Sequence, residues 1–188
     1  MRNGSKMYLT VLIAMILCAV VFAPHVALSQ NKPFRLGIIG LDTSHVIAFT
    51  KEINNPENNY GCKVVAGYRG GSPDIASSAD RIDGFTQKLR DDYGLEIVDT
   101  IEELCTKVDG ILLESVDGRP HLEQIKPVLA AGKPVFVDKP MAGNLGDVIE
   151  IFRLAKEAGV PCWSSSSLRF SPGISSMRNN EEIGDVIG

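Results

Sequence analysis

A glycine followed by polar residues ends the first apolar run of the globular region, and this segment could bind an anion. It reads Gly40-Leu41-Asp42-Thr43-Ser44-His45. A dinucleotide fold would place G-x-G-x-x-G here, where the glycines admit a pyrophosphate at a helix N-terminus. Only the first glycine is present, because Asp42 occupies the second position and His45 the third. Taken alone, the motif is weak evidence for a nucleotide site.

Two interpretations of this loop stay open. The Asp42 carboxylate could cap the helix amides that would otherwise receive a phosphate, so that the protein fills its own anion site. Alternatively, Thr43 and Ser44 donate to the phosphates while Asp42 turns toward a ribose or a substrate hydroxyl. We expect His45 to be a helix-packing residue, since glycine at this position permits close approach of the helix.

An arginine follows the second apolar run, in the segment Tyr68-Arg69-Gly70-Gly71-Ser72. NAD enzymes commonly have an acidic residue here that contacts the ribose, whereas an arginine suits the 2′-phosphate of NADP. Arg69 therefore slightly favours NADP over NAD, although a solvated loop arginine explains it equally well.

Six short runs of apolar or β-branched residues alternate with segments of helical period from Phe34 onward. This alternation is typical of a doubly wound, Rossmann-like α/β fold, a parallel sheet with helices on both faces. The predicted strands are 34–39, 63–66, 96–98, 110–113, 134–137 and 161–164. Ligands of such sheets bind at the carboxyl ends of the strands. The glycine loop, Arg69 and the residues after the later strands should therefore share one edge.

Capping residues mark the helices between these strands. Thr100 and Glu103 form the pattern of a capping box. Glycines at 94, 132 and 159 stand where helices are expected to stop, the last of them after a helix over 145–158.

The fifth predicted strand runs into Asp138-Lys139-Pro140. A lysine at the carboxyl end of a strand, fixed before a proline, can donate to a developing alkoxide. The segment 132–140 resembles the aGkhVxxEKP segment of the Gfo/Idh/MocA oxidoreductases, with Asp138 in place of the glutamate.

Two further segments carry the same resemblance. Residues 108–121, ending at His121, are similar to the family's vDaVxIxtPxxxH stretch, although Glu114 and Ser115 replace the usual threonine and proline. Residues 168–172 are similar to its Rf-x-P segment. The resemblance covers nearly the whole chain after the leader.

The resemblance implies NAD(P) as cofactor and hydride transfer to or from a carbon of a small-molecule sugar or cyclitol. It implies that Lys139 positions the substrate and stabilises charge during the transfer. The candidate cofactor-binding residues, from the loop and the resemblance together, are Gly40, Leu41, Asp42, Thr43, Ser44, Arg69, Ser115, His121 and Arg169. Arg169 would reach the nicotinamide side, with a structural salt bridge as the competing interpretation.

The resemblance also divides the chain. Residues 33–165 correspond to the dinucleotide-binding domain, and residues 166–188 look like the start of a truncated second domain. In the family, that second domain supplies the substrate pocket and usually an aspartate and histidine pair for proton transfer. His45 and His121 lie in the first domain. We therefore expect a fragment that lacks its general acid/base.

Residues 1–29 have the form of a secretory signal peptide. A cationic start precedes an uncharged apolar run, and Ala27 and Ser29 satisfy the small-x-small rule for cleavage before Gln30. We expect an exported protein, periplasmic or extracellular, that associates with a membrane only if this segment stays uncleaved.

The charge and the cysteines of the chain argue against nucleic-acid binding, a disulfide framework and a metal site. The formal net charge of −4 becomes −6 without the leader, which disfavours nucleic acid as a partner. Three of the four cysteines remain without the leader. Because Cys62, Cys105 and Cys162 are odd in number and form no C-x-x-C pair, they indicate neither a disulfide framework nor a metal site. A homo-oligomer is compatible with the sequence.

Three functions fit these observations, and the fold alone does not choose among them. The leading hypothesis is an exported NAD(P)-dependent oxidoreductase that acts on a sugar or cyclitol hydroxyl. The alternative is a noncatalytic, exported carbohydrate-binding or scaffold protein that has lost dinucleotide binding. A third is a lyase or hydrolase that uses tightly held NAD transiently.

Overall fold

Strands and helices alternate along the chain, as the apolar runs predict. The structure is a computed structural model that describes residues 32–177, 181, 182 and 184; the predicted leader lies outside the described residues. The strands are β1 Phe34–Ile39, β2 Cys62–Tyr68, β3 Glu96–Val98, β4 Gly110–Leu113, β5 Val135–Val137 and β6 Cys162–Ser164. The helices are α1 Ser44–Ile53, α2 Ala76–Ala79, α3 Ile82–Tyr93, α4 Ile101–Lys107, α5 His121–Ala130, α6 Leu145–Ala158 and α7 Pro172–Ser175, with a 3₁₀ turn over Ser167–Phe170.

The six strands form one parallel sheet in the order β3-β2-β1-β4-β5-β6. This is the doubly wound Rossmann order, and the strand order reverses between β1 and β4. The predicted fold class is therefore confirmed. The crevice outside the carboxyl ends of β1 and β4 is where such sheets bind ligands.

Alternate residues of the strands supply two apolar layers, one on each face of the sheet. On one face, Ile38 and Val64 pack with α1 and α3. On the other, Ile39, Leu113 and Val137 pack with α4, α5 and α6. Helices thus cover both faces, which fixes the strand ends and the loops that follow them.

Two proline-led strands begin one residue later than predicted. Pro134 and Pro161 lack an amide hydrogen, so they accept through their carbonyls from Ile111 and Val135 but cannot donate to a ladder. β2 extends two residues beyond the predicted end, because its pairing with β1 continues to Tyr68 opposite Ile39.

Two findings concern other kinds of site. Within residues 32–177, no helix is long and apolar enough to cross a membrane. Among the described side chains, no group of three or more His, Cys, Asp or Glu residues is arranged to hold a metal ion.

Candidate functional site

Gly40 brings the turn after β1 against the loop after β4. Its φ is +86°, and an added Cβ would lie 2.3 Å from the Ser115 hydroxyl oxygen and 2.4 Å from the Ser115 Cα. No other residue type fits this conformation and this space. The glycine that remains of the fingerprint is therefore required by the closeness of the two loops at the crevice.

Thr43, and not Asp42, caps α1. The Thr43 hydroxyl accepts from the His45 amide at 3.4 Å. Asp42 is fully buried, and its carboxylate accepts from the Ser78 hydroxyl at 2.6 Å and from the Val116 amide at 3.0 Å. The capping interpretation of Asp42 is wrong. Asp42 does turn aside, but its partners are Ser78 on α2 and Val116 in the loop after β4.

The glycine loop is largely covered by its neighbours. The Leu41 amide donates to the Arg69 carbonyl at 2.8 Å, and Leu41 is fully buried. Thr43 is 6% exposed, whereas Ser44 at the first turn of α1 is exposed. Helix N-termini favour anions through their free amides. The accessible anion position on this loop is therefore at Ser44.

A cavity of about 540 Å³ lies beside the ends of β2 and β3. Its wall includes Tyr68, Gly70 and Gly71 from the β2 end and the stretch 99–102 from the β3 end. Arg69 forms an ion pair with Asp83 at an exposed position nearby. The cavity and the α1 N-terminus both lie at the carboxyl edge of the sheet, where doubly wound folds bind ligands.

Ser115 and His121 hold the loop after β4 in place. The Ser115 hydroxyl donates to the Gln124 side-chain oxygen at 2.9 Å. The buried His121 ring reaches the Met141 carbonyl through Nδ1, at 3.1 Å, and the Ser115 carbonyl through Nε2, at 3.0 Å. Both ring nitrogens are thus engaged within the protein. The predicted cofactor contacts of these two residues stay predictions.

An ion-pair network links the loops after β2 and β4. The Arg119 guanidinium lies 2.7 Å from Asp117 and 2.9 Å from Asp74, and the Ser72 hydroxyl donates to Asp117 at 2.8 Å. Hydrogen bonds from Arg119 lower the pKa of Asp117 to about 2. Sequence reasoning missed this network, since its partners lie 45 positions apart.

Lys139 and Arg169 are both exposed. Lys139 is the second residue after β5, at the edge where the crevice lies, and no ion pair involving its ammonium is found within the described residues. Arg169 lies on the 3₁₀ turn, where its amide donates to the Ser166 carbonyl. The Lys139 ammonium is therefore available to a ligand.

A second group of polar residues was not predicted as a site. His45 Nδ1 lies 2.5 Å from Asp138 Oδ2, so His45 reaches a specific partner besides packing its helix. Glu114 is fully buried, and neither carboxyl oxygen has a hydrogen-bond partner among the described residues. Burial, and then the charge of Asp138, raise the pKa of Glu114 well above its usual value. The departures from the family pattern at positions 45, 114 and 138 were the available signal.

Comparisons with known proteins agree with this geometry. The model of the Gfo/Idh/MocA oxidoreductase family, NAD-binding Rossmann fold, matches residues 34–166. No curated protein matches the sequence. A dehydrogenase structure from Clostridium difficile is 26% identical with a TM-score of 0.58, over 78% of this chain and 44% of its own.

Two more distant structures share the fold. Myo-inositol 2-dehydrogenase from Lactobacillus plantarum is 21% identical with a TM-score of 0.60, over 83% of this chain and 44% of its own. Biliverdin reductase from Synechocystis, solved with biliverdin and NADP⁺, is 20% identical with a TM-score of 0.65, over 82% of this chain and 45% of its own. The chain spans less than half the length of these three structures. Since the family model matches well over half of it, the chain belongs to the Gfo/Idh/MocA oxidoreductase family and carries that family's NAD-binding Rossmann fold.

Proposed function

We propose that the protein is an exported NAD(P)-dependent oxidoreductase that acts on a hydroxyl of a sugar or cyclitol. The observation that carries this proposal is the exposed Lys139 at the carboxyl end of β5, beside the β1/β4 crevice. A free ammonium there can donate to the oxygen of a reacting carbon. The similar structure from Lactobacillus plantarum is an inositol dehydrogenase, which supports a cyclitol among the substrates.

Residues of this chain that would hold the cofactor lie at two places. Ser44 at the N-terminus of α1 would receive the phosphates, and the cavity beside Tyr68, Gly70 and Gly71 would receive the adenosine. When bound, NAD(P) accepts or donates the hydride. Lys139 then holds the substrate oxygen and stabilises the negative charge that develops on it.

Arg69 supports NADP over NAD within this proposal. It lies at the end of β2, where an arginine accommodates a 2′-phosphate. In the free protein it pairs with Asp83, and both side chains are largely exposed. An exposed pair contributes little to stability, so Arg69 can exchange this partner for a phosphate.

Fluorescence titration of the full-length mature protein with NADPH and with NADH tests the cofactor. We expect both to bind, and we expect Arg69→Ala to weaken NADPH binding by about tenfold while leaving NADH nearly unchanged. Lys88→Ala is a matched control, since Lys88 also forms an exposed ion pair on α3. A folded protein that binds neither cofactor at millimolar concentration would exclude the oxidoreductase.

The buried Asp42 favours one competing function. A carboxylate inside the glycine loop is unusual for a domain that receives a pyrophosphate, and it agrees with a carbohydrate-binding protein that has lost the cofactor. Calorimetric titration with sugars and cyclitols, without cofactor, distinguishes the two functions. Sugar binding together with no NAD(P)H binding would establish the binding protein.

Export belongs to the same proposal. We expect expression in a bacterial host to release a protein whose first residue is Gln30, as measured by mass spectrometry of the periplasmic fraction. An intact N-terminus in the cytoplasmic fraction would exclude export.

A further inference from the structure

Three polar residues stand side by side where β4, β5 and β6 end. Leu113, Val137 and Ser164 occupy the same register position in these strands. The residues that follow them are Glu114, Asp138 and Ser165. Because neighbouring parallel strands in register present the same face, this row lies on the face that α1 covers. His45 reaches the row from α1.

His45 and Asp138 form a close pair. Their Nδ1 to Oδ2 distance is 2.5 Å, and the side chains are 29% and 6% exposed. An ionised aspartate accepts from Nδ1–H, which leaves Nε2 of the neutral ring with a free lone pair. Nε2 has no hydrogen-bond partner within the described part of the chain. This is how a carboxylate selects one tautomer of an acid/base histidine.

The pair opens into a cavity of about 480 Å³. His45 and Asp138 line it together with the rings of Phe49, Phe136 and Phe170. Ser165 to Ser167 complete the wall, and the Ser165 hydroxyl oxygen is buried without a hydrogen-bond partner among the described residues. Apolar walls with a few unpaired polar groups are typical of a site for a small molecule.

Glu114 adds to the row a buried carboxyl group. It is fully buried beside Asp138, and both of its oxygens lack partners among the described residues. A buried polar group without a partner opposes folding, so its presence calls for a role at the site. In its protonated form, Glu114 adds no second negative charge beside Asp138.

We infer that His45 is a proton-transfer residue of this site, held in the Nδ1–H tautomer by Asp138 as its positioning residue. This inference rests on the proposed function. In the oxidation of a secondary alcohol, the C–H electron pair leaves as hydride to the cofactor, while the O–H bond breaks and its proton goes to His45 Nε2. A carbonyl and an imidazolium result, and the partly exposed ring returns the proton to solvent. The first domain thereby has its own acid/base group.

The tautomer can be measured without a substrate. In the full-length mature protein labelled with ¹⁵N-histidine, we expect the neutral His45 ring to carry its proton on Nδ1, and Asp138→Asn to shift the proton toward Nε2. We also expect diethyl pyrocarbonate to modify His45 and to spare the buried His121, as located by mass spectrometry. A proton on Nε2 in the unmodified protein, or an unreactive His45, would overturn the inference.

Turnover tests the catalytic role directly. Sugars and cyclitols with NADP⁺ or NAD⁺ are followed at 340 nm, and His45→Ala should lower kcat by at least about 100-fold. Added imidazole should restore part of the rate, because the cavity leaves room for it. A merely structural histidine would give no such rescue. Equal rates in the variant and the unmodified protein would overturn the inference.

The NADPH titration separates the two proposals. If the unmodified protein and His45→Ala bind NADPH alike, failure of the tautomer or rescue experiments refutes only the role of His45. If the unmodified protein does not bind NADPH, the proposed function fails, and the role of His45 in hydride chemistry fails with it.

Discussion

The buried Glu114 should make the stability of the protein depend on pH. Its pKa is raised well above the ordinary value of 4.5 by burial and by the charge of Asp138. In the unfolded chain the carboxyl ionises above that ordinary value, whereas in the native protein it keeps its proton. The native state then binds more protons than the unfolded state, so the free energy of unfolding falls as pH rises.

The magnitude follows from the linkage relation. Each pH unit over which the native carboxyl stays protonated while the unfolded one is ionised costs about 1.4 kcal/mol. This contribution grows by at most about 1.4 kcal/mol per pH unit, and it stops growing once the pH reaches the raised pKa of the native carboxyl. Glu114→Gln is uncharged in both states and removes it. The free energy of unfolding of the variant should therefore rise relative to that of the unmodified protein as pH increases from 5, by up to about 1.4 kcal/mol per pH unit.

Urea denaturation of both proteins at pH 5, 6 and 7 measures this difference. Glu57→Gln is the control, since Glu57 is an exposed carboxyl in the loop after α1, and it should run parallel to the unmodified protein. The test is how the difference in free energy of unfolding between the variant and the unmodified protein changes with pH. Any effect of the amide at position 114 that does not depend on pH therefore cancels. Parallel pH dependences of the Glu114→Gln variant and the unmodified protein would refute a protonated, buried Glu114.

Three further substitutions test the rest of the site. Gly40→Ala should lower the free energy of unfolding, measured with urea, by at least about 2 kcal/mol, because backbone strain and steric overlap coincide there. Gly94→Ala is the control: its φ is also positive but its surroundings are open, so the loss should be about 1 kcal/mol. Asp117→Asn should lower the free energy of unfolding by about 1 kcal/mol at pH 7, a small amount because solvent screens the pair with the exposed Arg119. This difference should vanish as pH falls from 3.8 toward 2, where the native carboxyl takes up its proton. Lys139→Met should lower kcat by about 100-fold with little change in NADPH affinity, and an unchanged kcat would remove Lys139 from the reaction.

The fold could be predicted because its signals are local. Alternating apolar runs gave all six strands, and the capping box was found where Thr100 accepts from the Glu103 amide at 3.0 Å. Gly94 and Gly159 end helices in the left-handed conformation, as expected. The late starts of β5 and β6 follow from Pro134 and Pro161, whereas the extension of β2 comes from its pairing with β1, which a single segment does not encode.

The site could be predicted only in part, because its contacts join distant positions. The edge of the sheet and its glycine turn follow from the strand ends. The hydrogen bond between His45 and Asp138 spans 93 positions, and that between Asp42 and Val116 spans 74. A residue's type does not show which distant strand end it will meet. The position of the loop at this edge could therefore be predicted, whereas the partners of Asp42 could not.

The two departures from the glycine fingerprint have a common structural effect. Asp42 ties the turn after β1 to the loop after β4, and His45 ties α1 to the end of β5. Two hydrogen bonds thus connect the glycine loop and α1 to the other side of the crevice. A phosphate that displaced Asp42 would leave a buried carboxylate without its partners, at a cost of about 1 to 3 kcal/mol. A bound dinucleotide should therefore contact α1 at the exposed Ser44 and leave Asp42 in place. In that arrangement the phosphates would lie at Ser44, away from Asp42. Position 45, where the fingerprint has its third glycine, could then carry an imidazole.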